Sequence, residues 1–201
     1  KELTSFLFPS RCIGCGTKDE ALCASCISVA RKSLSTPHAY IVSVFDFKDP
    51  IIRKVVHTIK YYHRRDIIPV IAVPLAEELK RSTIVHENTV VIPIPMHRSR
   101  YALRGYNHAE ALAREVAKLL NIPISVETLI RTKKTTQQAK LHRRQERLVN
   151  QKGAFTVNGN VRGKDILLID DVTTTGATLE EARSTLSKAG AKRVHAGTIA
   201  H

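Results

Sequence analysis

The stretch Ile166-Leu-Leu-Ile-Asp-Asp-Val-Thr-Thr-Thr-Gly-Ala-Thr178 decides how the rest of the chain is read. Its four leading apolar residues form an unbroken run, the pattern of a central parallel strand buried on both faces. Two adjacent carboxylates follow, Asp170 and Asp171, then a small hydroxyl-rich turn and the start of a helix. Ligands of open α/β sheets sit beyond the carboxyl ends of the strands, so this turn is the expected binding site. Backbone N–H groups of Thr173, Thr174, Thr175, Gly176, Ala177 and Thr178, with the threonine hydroxyls, can wrap a phosphate at the helix N-terminus. Gly176 removes a side chain where the backbone must approach closely. Asp170 and Asp171 can accept hydrogen bonds from vicinal hydroxyls and help to hold Mg²⁺. The turn lacks the lysine and glycine placement of a Walker A loop, which argues against an NTPase.

Working outward, strand and helix signals alternate. Tyr40 to Phe47 alternates in polarity and reads as a strand. Asp49-Pro50 opens a helix whose apolar stripe is Ile52, Val55, Val56 and Ile59, with the basic Lys60 to Arg65 run closing it. Residues 66–81 have helical character interrupted by Pro69 and Pro74. Val90 to Ile94 is a buried strand that runs into a rigid Pro95 loop, and residues 96–106 are polar and basic, read as loop. Asn107 and Glu110 resemble a capping box, ahead of a helix with Ala109, Leu112, Ala113, Val116 and Leu120 on one face. Short strands are expected near Val126 to Ile130 and Gly153 to Val157, then a helix from about Leu179 to Gly190 and a last strand over Val194 to Ala200. This order predicts a parallel, Rossmann-like α/β sheet.

The four cysteines all fall within fifteen residues, as C-x2-C-x7-C-x2-C at Cys12, Cys15, Cys23 and Cys26. Two such knuckles supply a tetrahedral all-cysteine Zn²⁺ site; filled at four positions, the ion is structural. Two disulfides or a dithiol redox pair are the alternatives. Both fit less well, because no cysteine follows Cys26 and no export signal is evident. Residues 1–35 are therefore read as a small zinc module, with Phe6, Leu7 and Phe8 available to dock it, and residues 36–201 as the α/β domain.

At 201 residues the chain suits one α/β domain with an appendage, and 43% apolar residues are enough for a real core. Its longest apolar run, Ile67 to Ala76, carries two prolines and is too short to span a bilayer. The expected location is the cytoplasm. A formal charge of +14 favours anionic partners. Half of it lies in residues 131–152, where eight Lys/Arg face one acid, Glu146. The histidines His57, His63, His97, His108, His142 and His195 read as surface or helix-flank residues, and Tyr61, Tyr62, Tyr101 and Tyr106 as packing residues.

Four apolar residues, two acids and a Thr/Gly-rich turn resemble the phosphoribosyl pyrophosphate (PRPP) signature of type I phosphoribosyltransferases. With the cysteine module the chain further resembles the ComF/GntX family of competence-associated proteins. Lys60-Tyr61, Pro93-Ile94-Pro95 with His97-Arg98, Arg104 to Asn107, Arg131-x-Lys133-x-Thr135-x-x-Gln138 and Glu146-Arg147-x-x-Asn150 continue that match. The resemblance implies a PRPP-binding protein connected with DNA uptake. It assigns Asp170 and Asp171 to the ribose hydroxyls, and Val172 with Thr173 to Thr178 to the neighbourhood of the 5′-phosphate. Pro95, Met96, His97 and Arg98 would face pyrophosphate. Arg131 and Lys133 would belong to a segment closing over the reacting centre. It implies structural Zn²⁺, Mg²⁺ with PRPP, and competence-machinery proteins as partners; the acceptor stays open. The alternative is a non-catalytic accessory factor that binds single-stranded DNA and uses the fold as a ligand-controlled scaffold.

Overall fold

The computed structural model describes residues 11–133 and 152–201. Phe6 to Phe8 and most of the basic stretch, residues 134–151, lie outside the described residues. The elements run in chain order as α1 (Ala24–Val29), β1 (Ile41–Phe45), α2 (Pro50–Tyr61), α3 (Ile67–Arg81), β2 (Thr89–Pro93), α4 (Arg98–Arg104), α5 (His108–Leu120), β3 (Leu129–Arg131), β4 (Phe155–Val157), β5 (Asp165–Val172), α6 (Ala177–Lys188) and β6 (Arg193–Ala200).

Four strands form the main sheet in the order β1-β6-β5-β2, and every neighbouring pair is parallel. A parallel sheet needs both faces covered, and β5 shows how the apolar run meets that need. Leu167 and Ile169 enter the core shared with α2, α3 and α5, while Ile166 and Leu168 enter a second core with Leu179, Ala182 and Leu186 of α6. Leu129 of β3 and Phe155 of β4 join the second core. These two short strands pair antiparallel, apart from the main sheet.

Both edges of the sheet are occupied, which removes exposed templates for intermolecular pairing. Ser33 donates its N–H to the Val44 carbonyl at 3.0 Å along β1. Along β2, Val91 donates to Pro123 at 2.8 Å and accepts from Ser125 at 2.9 Å.

Local chemistry sets the helix ends. Asp49 accepts from the N–H groups of Ile51 and Ile52 at 2.8 and 3.1 Å, with Pro50 at the first helical position where no donor is missed. Pro69 falls in the first turn of α3, and Pro74 is accommodated inside the helix. Residues 98–104, read as loop, form a helix instead. His97 caps it by accepting from the Ser99 N–H, and Gly105 closes it in the left-handed region at φ 70°. At α5 the cap is Asn107, which accepts from Ala109, but Glu110 turns away to bind Arg114 at 2.8 Å, so no reciprocal box forms.

The cysteine-bearing segment is built into the body. Cys12, Ile13, Leu22, Cys23, Cys26 and Ala30 share one continuous buried cluster with Phe45, Ile52, Val55, Val56 and Ile59, spanning the expected boundary at residue 35.

Gly197 of β6 faces the α3 side, where a Cβ would lie 3.1 Å from Ile169 and 3.2 Å from Leu79. Gly197→Val should therefore overpack the helix–sheet interface and cost about 1–3 kcal/mol, read as a lower midpoint in thermal unfolding.

Candidate functional site

The carboxyl ends of β5 and β2 lie side by side and carry the chemistry. Alternation along β5 sends Asp170 toward the β3–β4 side and Asp171 toward α2 and α5. Asp171 is buried. Lys60, the penultimate residue of α2, places its Nζ 2.7 Å from Asp171 Oδ2, and His108 Nε2, from the first turn of α5, stands 3.5 Å from the same oxygen.

The two acids are therefore unequal. Burial alone would raise Asp171, but the Lys60 ammonium and His108 outweigh it and hold the carboxyl at about 2. Among the described residues Asp170 forms no ion pair, and Lys60 lowers it less than its surroundings raise it. Burial and the charge on Asp171 push it up to about 8. Arg131 at the end of β3 is a cation that interacts with Asp170 on that side. Its guanidinium lies 5.1 Å from the Phe155 ring, and burial and the nearby Arg100 lower it to about 10 while Asp170 acts against them. One acid held by an ion pair and one pushed toward its protonated form share the end of a single strand.

Beyond Val172 the chain turns sharply. Thr173 is buried and donates its N–H to the Ala200 carbonyl at 3.0 Å; the Thr174 carbonyl accepts from His201 Nε2 at 3.1 Å. Gly176 sits at φ 75° as the N-cap of α6, and a Cβ there would meet His38 Cδ2 at 2.7 Å. Conformation and space both demand glycine. Gly176 itself brings no side-chain acceptor to the first turn of α6; Thr175 Oγ1 accepts weakly from the Ala177 N–H at 3.4 Å, and the helix start is suited to an anion.

On β2, Ile94 donates to the Ile169 carbonyl at 2.9 Å and accepts from Asn107 Nδ2 at 3.1 Å, which fixes the path into Pro95. Pro95, Met96 and His97 follow half-buried, whereas Arg98 is exposed. Lys133 is exposed too, and donates to the Lys152 carbonyl at 3.4 Å rather than reaching the acids.

The four cysteine sulfurs all lie within 4.8 Å of one another, with Cys12–Cys23, Cys12–Cys26 and Cys15–Cys23 at 3.6, 3.7 and 3.6 Å. A tetrahedron with Zn–S bonds of about 2.3 Å has sulfur–sulfur edges of roughly 3.8 Å, so the donor set fits zinc. Burial would raise Cys12, yet N–H groups of Cys15, Cys23 and Gly14 outweigh it and bring the thiol to about 6, toward the thiolate a metal requires. Gly14 is obligatory here, since a Cβ would fall 2.5 Å from Cys26 Sγ.

Residues 74–201 match the family model described as phosphoribosyl transferase domain. The chain belongs to that family, as a ComF-like type I member. It is 30% identical to the DNA utilization protein YhgH of Salmonella typhimurium over 161 residues, 79% of this chain and 70% of that protein. It is 36% identical to competence protein ComFC of Streptococcus pneumoniae over 120 residues, 60% of this chain and half of the relative. The solved purine phosphoribosyltransferase of Pyrococcus horikoshii aligns at 19% identity and a TM-score of 0.41, over 65% of this chain and 71% of that one.

For this phosphoribosyltransferase-type chain, sequence reasoning placed the acids and the turn at the strand end but passed over two neighbours. His108, read as a helix-flank residue, is buried against Asp171. Lys60 reads in the sequence as the basic end of a helix and, with Tyr61, as part of the family resemblance, without a role at the acids. A lysine at the end of an apolar helical stripe, ahead of an unpaired buried acid elsewhere, was the available signal. Of the tyrosines only Tyr106 is buried; Tyr61, Tyr62 and Tyr101 are exposed, contrary to the packing expectation.

Two outcomes follow from this geometry. Purified protein should contain about one Zn²⁺ per chain by metal analysis, lost on Cys12→Ser or Cys23→Ser. The proton on Asp170 competes with any cationic ligand, so affinity for a Mg²⁺-bound anion should rise by up to about tenfold per pH unit toward pH 8 and then level off. Because the folded pKa lies above the ordinary one, the same proton stabilises the ligand-free fold at low pH. That contribution is lost as pH rises through about 8. Calorimetry across pH 6 to 9 on the parent and Asp170→Asn reads both, with the asparagine variant showing no rise.

Proposed function

We propose that this chain binds PRPP at the carboxyl end of β5 and transfers its phosphoribosyl group to a nitrogen nucleophile. The reading rests on one observation: two adjacent carboxylates at a buried strand end, one of them paired with Lys60 at 2.7 Å, lead directly into a glycine-capped helix start. Asp170 and Asp171 take the ribose hydroxyls, and Thr173 to Thr178 with Val172 form the 5′-phosphate cradle. Pro95, Met96, His97 and Arg98 face the pyrophosphate, and Arg131 and Lys133 join them on the anionic side. Mg²⁺ bound with PRPP would neutralise charge on the departing pyrophosphate. In the transfer, a C–N bond forms at the anomeric carbon as its C–O bond breaks, and pyrophosphate leaves with the electron pair. Arg131 and Arg98 would stabilise the charge developing on it. The acids orient the sugar and do not act as nucleophiles.

The relatives' names, a DNA utilization protein and competence proteins, support a connection with DNA uptake; we place the protein in the cytoplasm, beside competence-machinery proteins. We read residues 1–35 as the zinc-stabilised module that serves as the docking element. A second reading is favoured by the +14 charge: a single-stranded-DNA-binding factor whose conformation PRPP controls.

Calorimetric titration of PRPP with and without Mg²⁺, alongside a pyrophosphate-release screen over nitrogen acceptors, separates these. Asp170→Asn and Asp171→Asn should each lower PRPP affinity roughly tenfold to a hundredfold, since hydrogen bonds to charged groups contribute about 1.5–3 kcal/mol. They should differ in stability. Asp170→Asn removes a repelled acid and leaves the midpoint unchanged or higher. Asp171→Asn strands Lys60 and costs about 1–3 kcal/mol. Unchanged PRPP affinity in both variants, or no binding by the parent, refutes the assignment.

A further inference from the structure

Helix α2 touches both chemical centres of this protein. At its N-terminus Asp49 divides its two oxygens: Oδ1 caps the helix, accepting from Ile51 and Ile52, and Oδ2 accepts the Arg31 N–H at 3.0 Å. Arg31 is the residue at which the chain leaves the cysteine turn, and its guanidinium holds Asp46 at 3.2 Å while its carbonyl accepts the Asp46 N–H. Along the helix, Ile52, Val55, Val56 and Ile59 lie in the same continuous core as Cys12, Cys23 and Cys26. At the C-terminus, Tyr106 donates its hydroxyl to the Ile59 carbonyl, with Arg65 over its ring at 4.3 Å. The next residue is Lys60, 2.7 Å from Asp171. A helix of 12 residues is about 18 Å long and rigid on that scale.

Nothing else among the described residues offers Asp171 a permanent positive charge: Lys60 and His108 are its ion-pair partners there. The side chain of Lys60 is 23% exposed and that of Asp171 7%. The pair is thus mostly shielded from water, and its strength depends sharply on where α2 puts the ammonium. A small shift of the helix would leave two adjacent carboxylates without that counter-charge.

We propose that Lys60 is a positioning residue for the acidic pair, and that α2 conveys to it whether the four-cysteine turn is assembled. Rigid elements packed in one core transmit displacement because cores do not deform continuously. With the turn held together, Arg31 and the cysteine-side core seat the start of α2, and its far end places the ammonium against Asp171. With the turn loosened, the Arg31–Asp49 tie and the apolar support are lost together, and the acids repel. The inference rests on reading Asp170 and Asp171 as the ribose site, and it adds a control of that site by a centre that touches no substrate.

The test is a thermodynamic cycle on the full chain, with PRPP and Mg²⁺ as probe. Lys60→Met should lower PRPP affinity about tenfold or more, and Lys60→Arg should restore most of it. Zinc removal from the parent by a chelator, with Mg²⁺ then restored, should also lower affinity by about tenfold, but change Lys60→Met by less than about twofold. If zinc removal unfolds the chain, Asp49→Asn replaces it. That substitution can keep the Oδ1 cap but cannot accept the Arg31 N–H, so it should weaken PRPP binding about threefold with zinc content unchanged. Hydrogen exchange without PRPP gives the second readout. Amides of residues 55–61 should exchange faster after zinc removal and in Asp49→Asn, while those of β5 stay protected. Additive effects of zinc removal and Lys60→Met, or unaltered exchange in α2, overturn the coupling. Failure of the zinc-loaded parent to bind PRPP would instead sink the ribose-site reading, with the exchange data still deciding whether α2 links the two centres.

Discussion

Two carboxylates on consecutive residues at a buried strand end cannot both carry charge without a cation nearby, and Lys60 is the cation this protein supplies. Much of the architecture serves that contact. Asp171 keeps its charge because α2 ends beside it, and α2 ends there because its apolar stripe is buried with α3 and the cysteine turn. The same contact leaves Asp170 as the acid with a proton to give up, since the anion beside it is permanent and burial adds to the repulsion. One ion pair thus divides two chemically identical side chains into a fixed charge and a titrating group.

The surroundings of the acids follow a consistent division of labour. Rigid strands deliver the carboxylates, and the backbone bonds from Ile94 to Ile169 and from Thr173 to Ala200 fix the turns that leave those strands. Cations approach from separate elements: Lys60 from a helix on one face of the sheet and Arg131 from the short antiparallel pair on the other. Under the proposed reading, the ribose hydroxyls meet the acids and the phosphates meet the helix start and the guanidinium groups. Each part is ordinary physical chemistry; the arrangement gathers acids, cations and a helix start at one strand end, where open α/β sheets bind their ligands.

The cysteine turn belongs to the same logic. Four thiols packed within 4.8 Å repel one another as thiolates, and a tetrahedral cation relieves that repulsion. Because three of the four are buried in the core that supports α2, whatever holds the sulfurs together also holds the helix. A segment too small to build its own core is stabilised by packing on its neighbour and offers a donor set that a metal would draw together.

The sequence by itself determined the elements whose signals are local. The apolar run Ile166 to Ile169 pointed to a strand covered on both faces, Asp49-Pro50 to a helix start, and C-x2-C twice within fifteen residues to four cysteines gathered in one place. The acid pair and the Gly176 turn were legible for the same reason: strand, carboxylates and phosphate-suited loop are contiguous. Tertiary structure alone decided what meets across the chain. It brought Lys60 and His108 to Asp171 from positions more than sixty residues away in sequence, and it made a helix of residues 98–104 where composition read as loop. It also split Tyr106, buried against α2, from the exposed Tyr61, Tyr62 and Tyr101. The physical reason is that periodicity and capping act over a few residues, whereas the partner of a buried charge is chosen by packing, which no local pattern encodes.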